Sequence, residues 1–455
     1  MGHSVARSLR SLRSLFGTLV LLLASPRDGA AQDVSRMVRI IQSHVDSKQF
    51  MGSVLVAQDG NVLLDKGYGS ANLEWDIPDS PHTKFRLGSL TKQFTAAAIL
   101  LLEERGKLRT DDLVAKYLPD APAAWATITI ANLLTHTSGI PNFTSFPDYS
   151  TTEATPTTPE QLVARFRDKP LNFQPGEKWE YSNSGYVLLG YLLEKISGQR
   201  YQDFVRDNLF APLGMTESGY DSHAAIILHR AAGYTPGANG PVNAGYIDMS
   251  IPFSAGALYS TTEDLLRWER ALFGGKVLSA ASLKKMTTPF KNDYGYGLAV
   301  RTAHGYTVIE HGGGIEGFNT QLAYDRDRKL AVIVLGNLNG GAPDEIAGQL
   351  MALLHGEKVV LPSERKEITV STDVLRQYVG TYQLAPTFSI VITLEGNRLM
   401  SQATNQLALP LFAESQTSFF LKAVDAQIEF AKNEKGEVTS LTLRQGGNEM
   451  KALKR

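Results

Sequence analysis

No cysteine occurs in the 455 residues. That excludes disulfides, a thiol nucleophile and thiolate metal sites together. It leaves the compartment open, because exported proteins can also lack cysteine. There is no excess of one charge: 45 Lys and Arg stand against 46 Asp and Glu, a formal net charge of −1. Such a balance carries no electrostatic footprint for nucleic acid or an anionic membrane. The nine histidines show no His-Glu-x-x-His or comparable ligand spacing, so no metal site is expected. Neither a long repeat nor a low-complexity tract is present. What remains is ordinary globular composition, 43% hydrophobic and 20% charged, in a chain long enough for more than one domain.

The N-terminus carries Arg7, Arg10 and Arg13, then the apolar run Leu15-Phe16-Gly17-Thr18-Leu19-Val20-Leu21-Leu22-Leu23-Ala24, then the small residues Gly29, Ala30 and Ala31. This order reads as a signal peptide over residues 1–31, cleaved after Ala31. The run is short for a membrane span, and retention as an anchor is the alternative. No second hydrophobic span follows. The mature protein is expected to be exported, periplasmic or secreted, without a membrane span once the signal is removed.

Residues 33–48 have helical spacing, and two β-rich runs around Asp59-Gly60-Asn61 predict a hairpin. Residues 107–250 read as mostly helical, with an apolar helix over 186–196 closed by Gly198. Strands are expected again over 296–301, 306–310, 320–324 and 330–335, followed by a helix over 344–354. Strands at both ends and helices between predict an α/β (α+β) domain over 33–358: an antiparallel sheet flanked by helices, with a helical subdomain. Residues 359–372 read as a linker and 373–455 as a small all-β, barrel-like domain.

The chemistry centres on Ser89 and Lys92, three apart where a loop runs into an alanine-rich helix that ends at Gly106. Ser-x-x-Lys occurs three times, the others being Ser282 with Lys285 and Ser363 with Lys366. Spacing alone does not separate them; the setting does, with Gly88 before Ser89 and a helix start at the serine. A helix N-terminus stabilises a developing oxyanion and disfavours a protonated lysine, so a desolvated Lys92 is a candidate base. The bland alternative is a capping Ser89 and a solvated Lys92. Tyr181 and Asn183 stand two apart and share one side of an extended stretch. The tyrosine is a candidate proton carrier if nearby cations lower its pKa, and the asparagine a partner for Lys92 or a substrate amide. His311-Gly312-Gly313-Gly314 closes a strand, and its glycines offer close approach and free N–H groups. A core tyrosine, a turn asparagine and a surface histidine are the alternatives.

These elements in this order resemble the serine β-lactamase and penicillin-binding-protein family, class C-like branch. Its Ser-x-x-Lys, Tyr-x-Asn and Lys-Thr-Gly or His-x-Gly motifs match Ser89 to Lys92, Tyr181-Ser182-Asn183 and His311-Gly312-Gly313. Flanking stretches match too, among them Gly67-Tyr68-Gly69 and Ser254-Ala255-Gly256. The resemblance implies Ser89 as nucleophile, Lys92 as base and Tyr181 as proton relay. It implies Asn183, His311, Gly313 and Gly314 as substrate-binding residues, the oxyanion hole being the N–H groups of Ser89 and Gly314. It implies no metal and no organic cofactor. The third motif carries His311 where dedicated β-lactamases place lysine, so the fixed cation for a substrate carboxylate is replaced by a group only partly charged at neutral pH.

The expected function is an exported serine hydrolase working through an acyl-enzyme on amide, D-residue peptide or ester bonds. Alternatives are a β-lactamase, a short-chain carboxylesterase, or a non-catalytic cell-wall binder or sensor on the same scaffold. The expected partner is a small-molecule or peptide substrate, not nucleic acid; the oligomeric state is open.

Overall fold

The central sheet takes its strands from both ends of the larger domain. The computed structural model describes residues 26–424, 426–445 and 448–455; the expected signal peptide lies mostly outside them, in residues 1–25. Helix α1 (Pro26–Asp46) leads into strands β1 (Gly52–Gln58) and β2 (Asn61–Tyr68). Helices α2 (Thr91–Glu104), α3 (Asn183–Ser197) and α4 (Thr262–Phe273) follow. Strands β3 (Ala299–Ala303), β4 (Tyr306–Ile315), β5 (Phe318–Asp325) and β6 (Leu330–Gly336) then precede helix α5 (Ala342–Leu354). The antiparallel order is β3-β4-β5-β6-β1-β2, with Val54 opposite Val334 and Leu55 opposite Ile333 where the two chain ends meet.

Alternation along the inner strands divides the core. Val54, Val56, Val332 and Val334 pack with Met37, Ile41, Ile346 and Leu350 of α1 and α5. Leu55, Ala57, Ile333 and Leu335 face the other way, with Phe94, Ile99, Leu265 and Trp268 of α2 and α4. Both β1 and β6 are therefore covered on two faces, which is why they read as continuous apolar runs rather than alternating ones. Among the described residues no helix is long and apolar enough to cross a membrane.

Three local expectations differ. A strand was expected from 296, but β3 begins at Ala299. Gly297, at φ +70°, turns the chain past the Lys92 carbonyl, where a Cβ would stand 2.7 Å from that oxygen. The helical region also holds a hairpin, Tyr234–Gly237 with Gly240–Asn243. At the C-terminal end, Thr372–Tyr378 is a helix where a strand was expected from Tyr378. Its Leu375 and Tyr378 enter the core of the closed eight-stranded barrel that follows, Tyr378 stacking on Phe430 at 4.2 Å.

Candidate active site

Leucine and alanine favour helix from Thr95 onward, and α2 is buried on nearly every side. Ahead of it, Gly88–Leu90 forms a single 3-10 turn, so Ser89 precedes the helix rather than capping it. Ser89 lies in this turn and Lys92 three positions on in the first turn of α2, so the two side chains share one face. Gly88 sits at φ +53°, and a Cβ there would stand 2.8 Å from the Gly314 nitrogen. Only glycine lets the turn lie so close to β4. Gly313 is as tightly placed, its absent Cβ 2.0 Å from the Leu87 carbonyl oxygen. Thr320 on β5 donates to that same carbonyl at 2.9 Å.

Lys92 is fully buried, and Nζ donates to Ser89 Oγ at 3.0 Å, Asn183 Oδ1 at 2.8 Å and the Ala255 carbonyl at 2.9 Å. The Ala255 segment is held on α2 by Thr95 Oγ1, which donates to the Ser254 carbonyl at 2.6 Å. Tyr181 donates to Ser89 Oγ at 2.6 Å, and its ring lies beneath Nζ at 4.8 Å. Asn183 is the first residue of α3, not part of an extended stretch as expected, and Ser182 is the N-cap. The asparagine still reaches Lys92 because the 142–144 loop grips it: Asn142 Oδ1 accepts from Asn183 N at 3.0 Å, and Asn183 Nδ2 donates to Thr144 Oγ1 at 3.1 Å.

Burial pushes the Lys92 amine well below the ordinary lysine range. Three acceptors around Nζ suit an ammonium, but desolvation at a fully buried position is the larger effect. The Tyr181 phenol moves up, burial outweighing its bond to Ser89, so it rests as a neutral donor. The lowering by cations that the sequence suggested for it is not what its surroundings produce. His311 is pushed down to about 3, chiefly by burial, so the ring is neutral at pH 7 rather than partly charged. Its Nδ1 is 2.6 Å from the Gly312 carbonyl and its Nε2 is 2.8 Å from the Tyr294 hydroxyl.

The structure thus gathers Ser89, Lys92, Tyr181 and Asn183 within hydrogen-bond distance, with Gly313 and Gly314 against the Ser89 turn. His311 stands behind Tyr181, ring centroids 6.5 Å apart, both nitrogens engaged by protein. Sequence reasoning missed Tyr294, Asn142, Thr144 and His136. His136 is buried at φ +58°; its Nδ1 accepts from Ser182 N at 3.2 Å and its carbonyl from Glu180 N at 3.0 Å. Its ring packs on Tyr181 at 4.4 Å, so it aligns the segment that delivers the tyrosine. The signal the sequence held was the stretch Leu133 to Pro141, a helix end and turn that also matches the family's flanks. A cavity of about 890 Å³, lined in part by Tyr220, His223 and Asp248, contains none of the Ser89 group. Among the described residues no set of three or more His, Asp or Glu side chains is placed to hold a metal ion.

A serine, an amine and a phenol on one oxygen, beside a glycine strand, is an arrangement suited to acyl transfer. The beta-lactamase family model matches residues 37–356, and the chain belongs to that family of serine hydrolases of the β-lactamase and penicillin-binding type. A domain of unknown function, DUF3471, matches residues 364–453, the barrel region. The chain is similar to penicillin-binding protein 4* of Bacillus subtilis (strain 168), 31% identical over 435 residues, 90% of this chain and 96% of that one. It is similar in structure to an octameric penicillin-binding protein homologue from Pyrococcus abyssi: TM-score 0.67, 27% identity, 93% of this chain and 100% of that one. A D-amino acid amidase from Ochrobactrum anthropi SV3, complexed with L-phenylalanine amide, aligns at TM-score 0.61 and 26% identity over 71% of this chain and 99% of its own.

Proposed function

We propose that the protein is an exported serine hydrolase that forms an acyl-enzyme at Ser89, with amides and peptides of D-residues or small esters as substrates. The observation that carries this reading is the convergence on Ser89 Oγ of Lys92 Nζ at 3.0 Å and Tyr181 OH at 2.6 Å. Oγ attacks the substrate carbonyl while Lys92, in its neutral form, takes the serine proton. The oxyanion is received by the N–H groups of Ser89 and Gly314. Tyr181 gives its proton to the leaving nitrogen or oxygen, the C–N or C–O bond breaks, and the acyl group stays on Oγ. Water then attacks the ester, its proton returns through Tyr181 and Lys92, and Ser89 is regenerated.

The neutral His311 supports the choice of substrate. A lysine at this position would offer a cation to a carboxylate; a neutral imidazole with both nitrogens engaged does not. The likeness to a D-amino acid amidase points the same way. Penicillin-binding relatives make a β-lactamase the second reading. The test is a panel of p-nitrophenyl ester, D-amino-acid amide, D-Ala-D-Ala peptide and chromogenic cephalosporin, with Ser89→Ala as control. Turnover of the amide or ester that vanishes in Ser89→Ala supports the first reading. Turnover of the cephalosporin alone supports the second. Equal turnover by Ser89→Ala sinks both, and a fluorophosphonate that fails to label Ser89 favours a non-catalytic binder. Sequencing the N-terminus of the mature protein tests export, with cleavage after Ala31 as the expected result.

A further inference from the structure

Strand β4 is paired on both sides only up to Glu310, where its ladder with β3 ends at Ala299. From His311 to Ile315 the ladder continues on the β5 side alone. That frees the strand edge beside Ser89, but it leaves three successive glycines with ladder partners on one side only, the Leu87–Gly88 turn meeting Gly313 and Gly314 on the other by close packing. Glycine loses more conformational freedom on ordering than any other residue, so such a run needs further restraint if one of its N–H groups is to stay aimed.

His311 supplies a restraint, and its chemistry fixes the direction of each bond. A carbonyl oxygen only accepts, so the 2.6 Å contact from Nδ1 to the Gly312 carbonyl puts the ring proton on Nδ1. A neutral imidazole has one N–H, which leaves Nε2 as an acceptor, and the Tyr294 hydroxyl at 2.8 Å must donate to it. The sequence runs one way: Tyr294 O–H to His311 Nε2, His311 Nδ1–H to the Gly312 carbonyl. Tyr294 is itself 5% exposed and wedged between His136 and Trp179, ring centroids 4.8 and 6.0 Å away.

We propose that Tyr294 is a positioning residue that acts through His311: it sets the imidazole tautomer, the imidazole holds the Gly312 carbonyl, and the glycine run is thereby kept with Gly314 N–H beside the Ser89 turn. On this account His311 is a strut for the oxyanion strand and not a group that contacts substrate charge. The proposal rests on the hydrolase reading above and names a residue that reading does not contain.

Tyr294→Phe in the full chain keeps the ring and removes only the donor. Three measurements decide: the labelling rate of Ser89 by a fluorophosphonate, kcat and KM on a substrate from the panel, and the His311 tautomer by nitrogen NMR. Expected are a proton on Nδ1 in the parent protein and labelling and kcat slower by roughly 10- to 100-fold in Tyr294→Phe, with KM within about twofold. In a His311→Ala background the same change should alter labelling by less than about twofold, because the path it works through is gone. Labelling in Tyr294→Phe within about twofold of the parent overturns the proposal, as does an equal loss in both backgrounds. A parent His311 protonated on Nε2 overturns it as well. A parent protein that the fluorophosphonate does not label refutes the hydrolase reading instead, and the tautomer then judges the Tyr294–His311 bond by itself.

Discussion

Tyr181 donates to Ser89 Oγ at 2.6 Å from a phenol that burial keeps protonated. In the proposed mechanism it is therefore poised as an acid toward the group that leaves the substrate carbonyl, not as the base that activates Ser89. Tyr181→Phe keeps the ring against His136 and beneath Lys92 but has no proton to give. Turnover of an amide should fall by about 10²- to 10⁴-fold, the range for a lost general acid. An activated ester, whose leaving group needs no proton, should lose less. Steady-state rates on a matched amide and p-nitrophenyl ester check this, and equal losses on both would count against the acid role.

Asn183 Oδ1 lies 2.8 Å from Lys92 Nζ. In the proposed mechanism the working form of Lys92 is the neutral amine, so activity is expected to be lost as pH falls through its folded-state pKa, which burial places below the ordinary lysine value. Asn183→Asp sets a negative charge beside the amine and raises that pKa. The acid limb of kcat/KM should move to higher pH by about one to two pH units. A pH–rate profile of the variant against the parent gives the shift. An unmoved limb would mean that another group controls it.

Gly88 places its turn against Gly314. Gly88→Ala introduces a side chain at φ +53° and 2.8 Å from a backbone nitrogen that cannot retreat. The expected cost is about 1–3 kcal/mol of stability, from the left-handed backbone and the overlap together. Fluorophosphonate labelling should slow at temperatures where the variant is still folded. Denaturant unfolding and labelling rates measure the two effects separately.

Asp79 is 7% exposed, and neither carboxylate oxygen has a hydrogen-bond partner. Burial pushes its pKa from 3.8 to about 8. The folded state therefore holds a proton that the unfolded chain releases near pH 4, and stability falls as pH rises from there through about 8. Asp79→Asn removes the charge with little change of shape. Its advantage over the parent should be larger at pH 9 than at pH 5, growing by about 1.4 kcal/mol per pH unit up to about pH 8 and levelling off above it. Thermal melts at the two pH values test the sign.

The elements of the larger domain were legible because their patterns are local. Strands β1 and β2 flank an Asp-Gly turn, and α3 ends at Gly198, which has φ +71° as a helix-closing glycine should. Where patterns were read too simply, a backbone demand intervened: Gly297 delays β3, and Tyr378 belongs to a helix because its ring is needed inside the barrel. The candidate site was legible in part. Ser89, Lys92, Tyr181, Asn183 and the glycine run are side chains, or absences of side chains, at spacings that can be matched. The Ala255 carbonyl on Lys92 belongs to a backbone atom 163 positions away; the sequence marks Ser254-Ala255-Gly256 only as a matching flank and does not show that its backbone meets Lys92. Tyr294 reaches His311 across 17 positions, on a loop with no pattern of its own.

By itself the sequence determined which groups could meet. The helix behind Ser89 follows from its alanines and leucines, the close approach at Gly88 and Gly313 from missing side chains, and the freedom from thiol chemistry from the lack of cysteine. Tertiary structure alone decided what state those groups are in. Whether Lys92 is a cation or an amine, whether Tyr181 gives or takes a proton, and whether His311 carries charge depend on how much water packing removes and which dipoles replace it. Those are properties of the surroundings, assembled from strands and loops far apart in the chain, and no residue carries them alone.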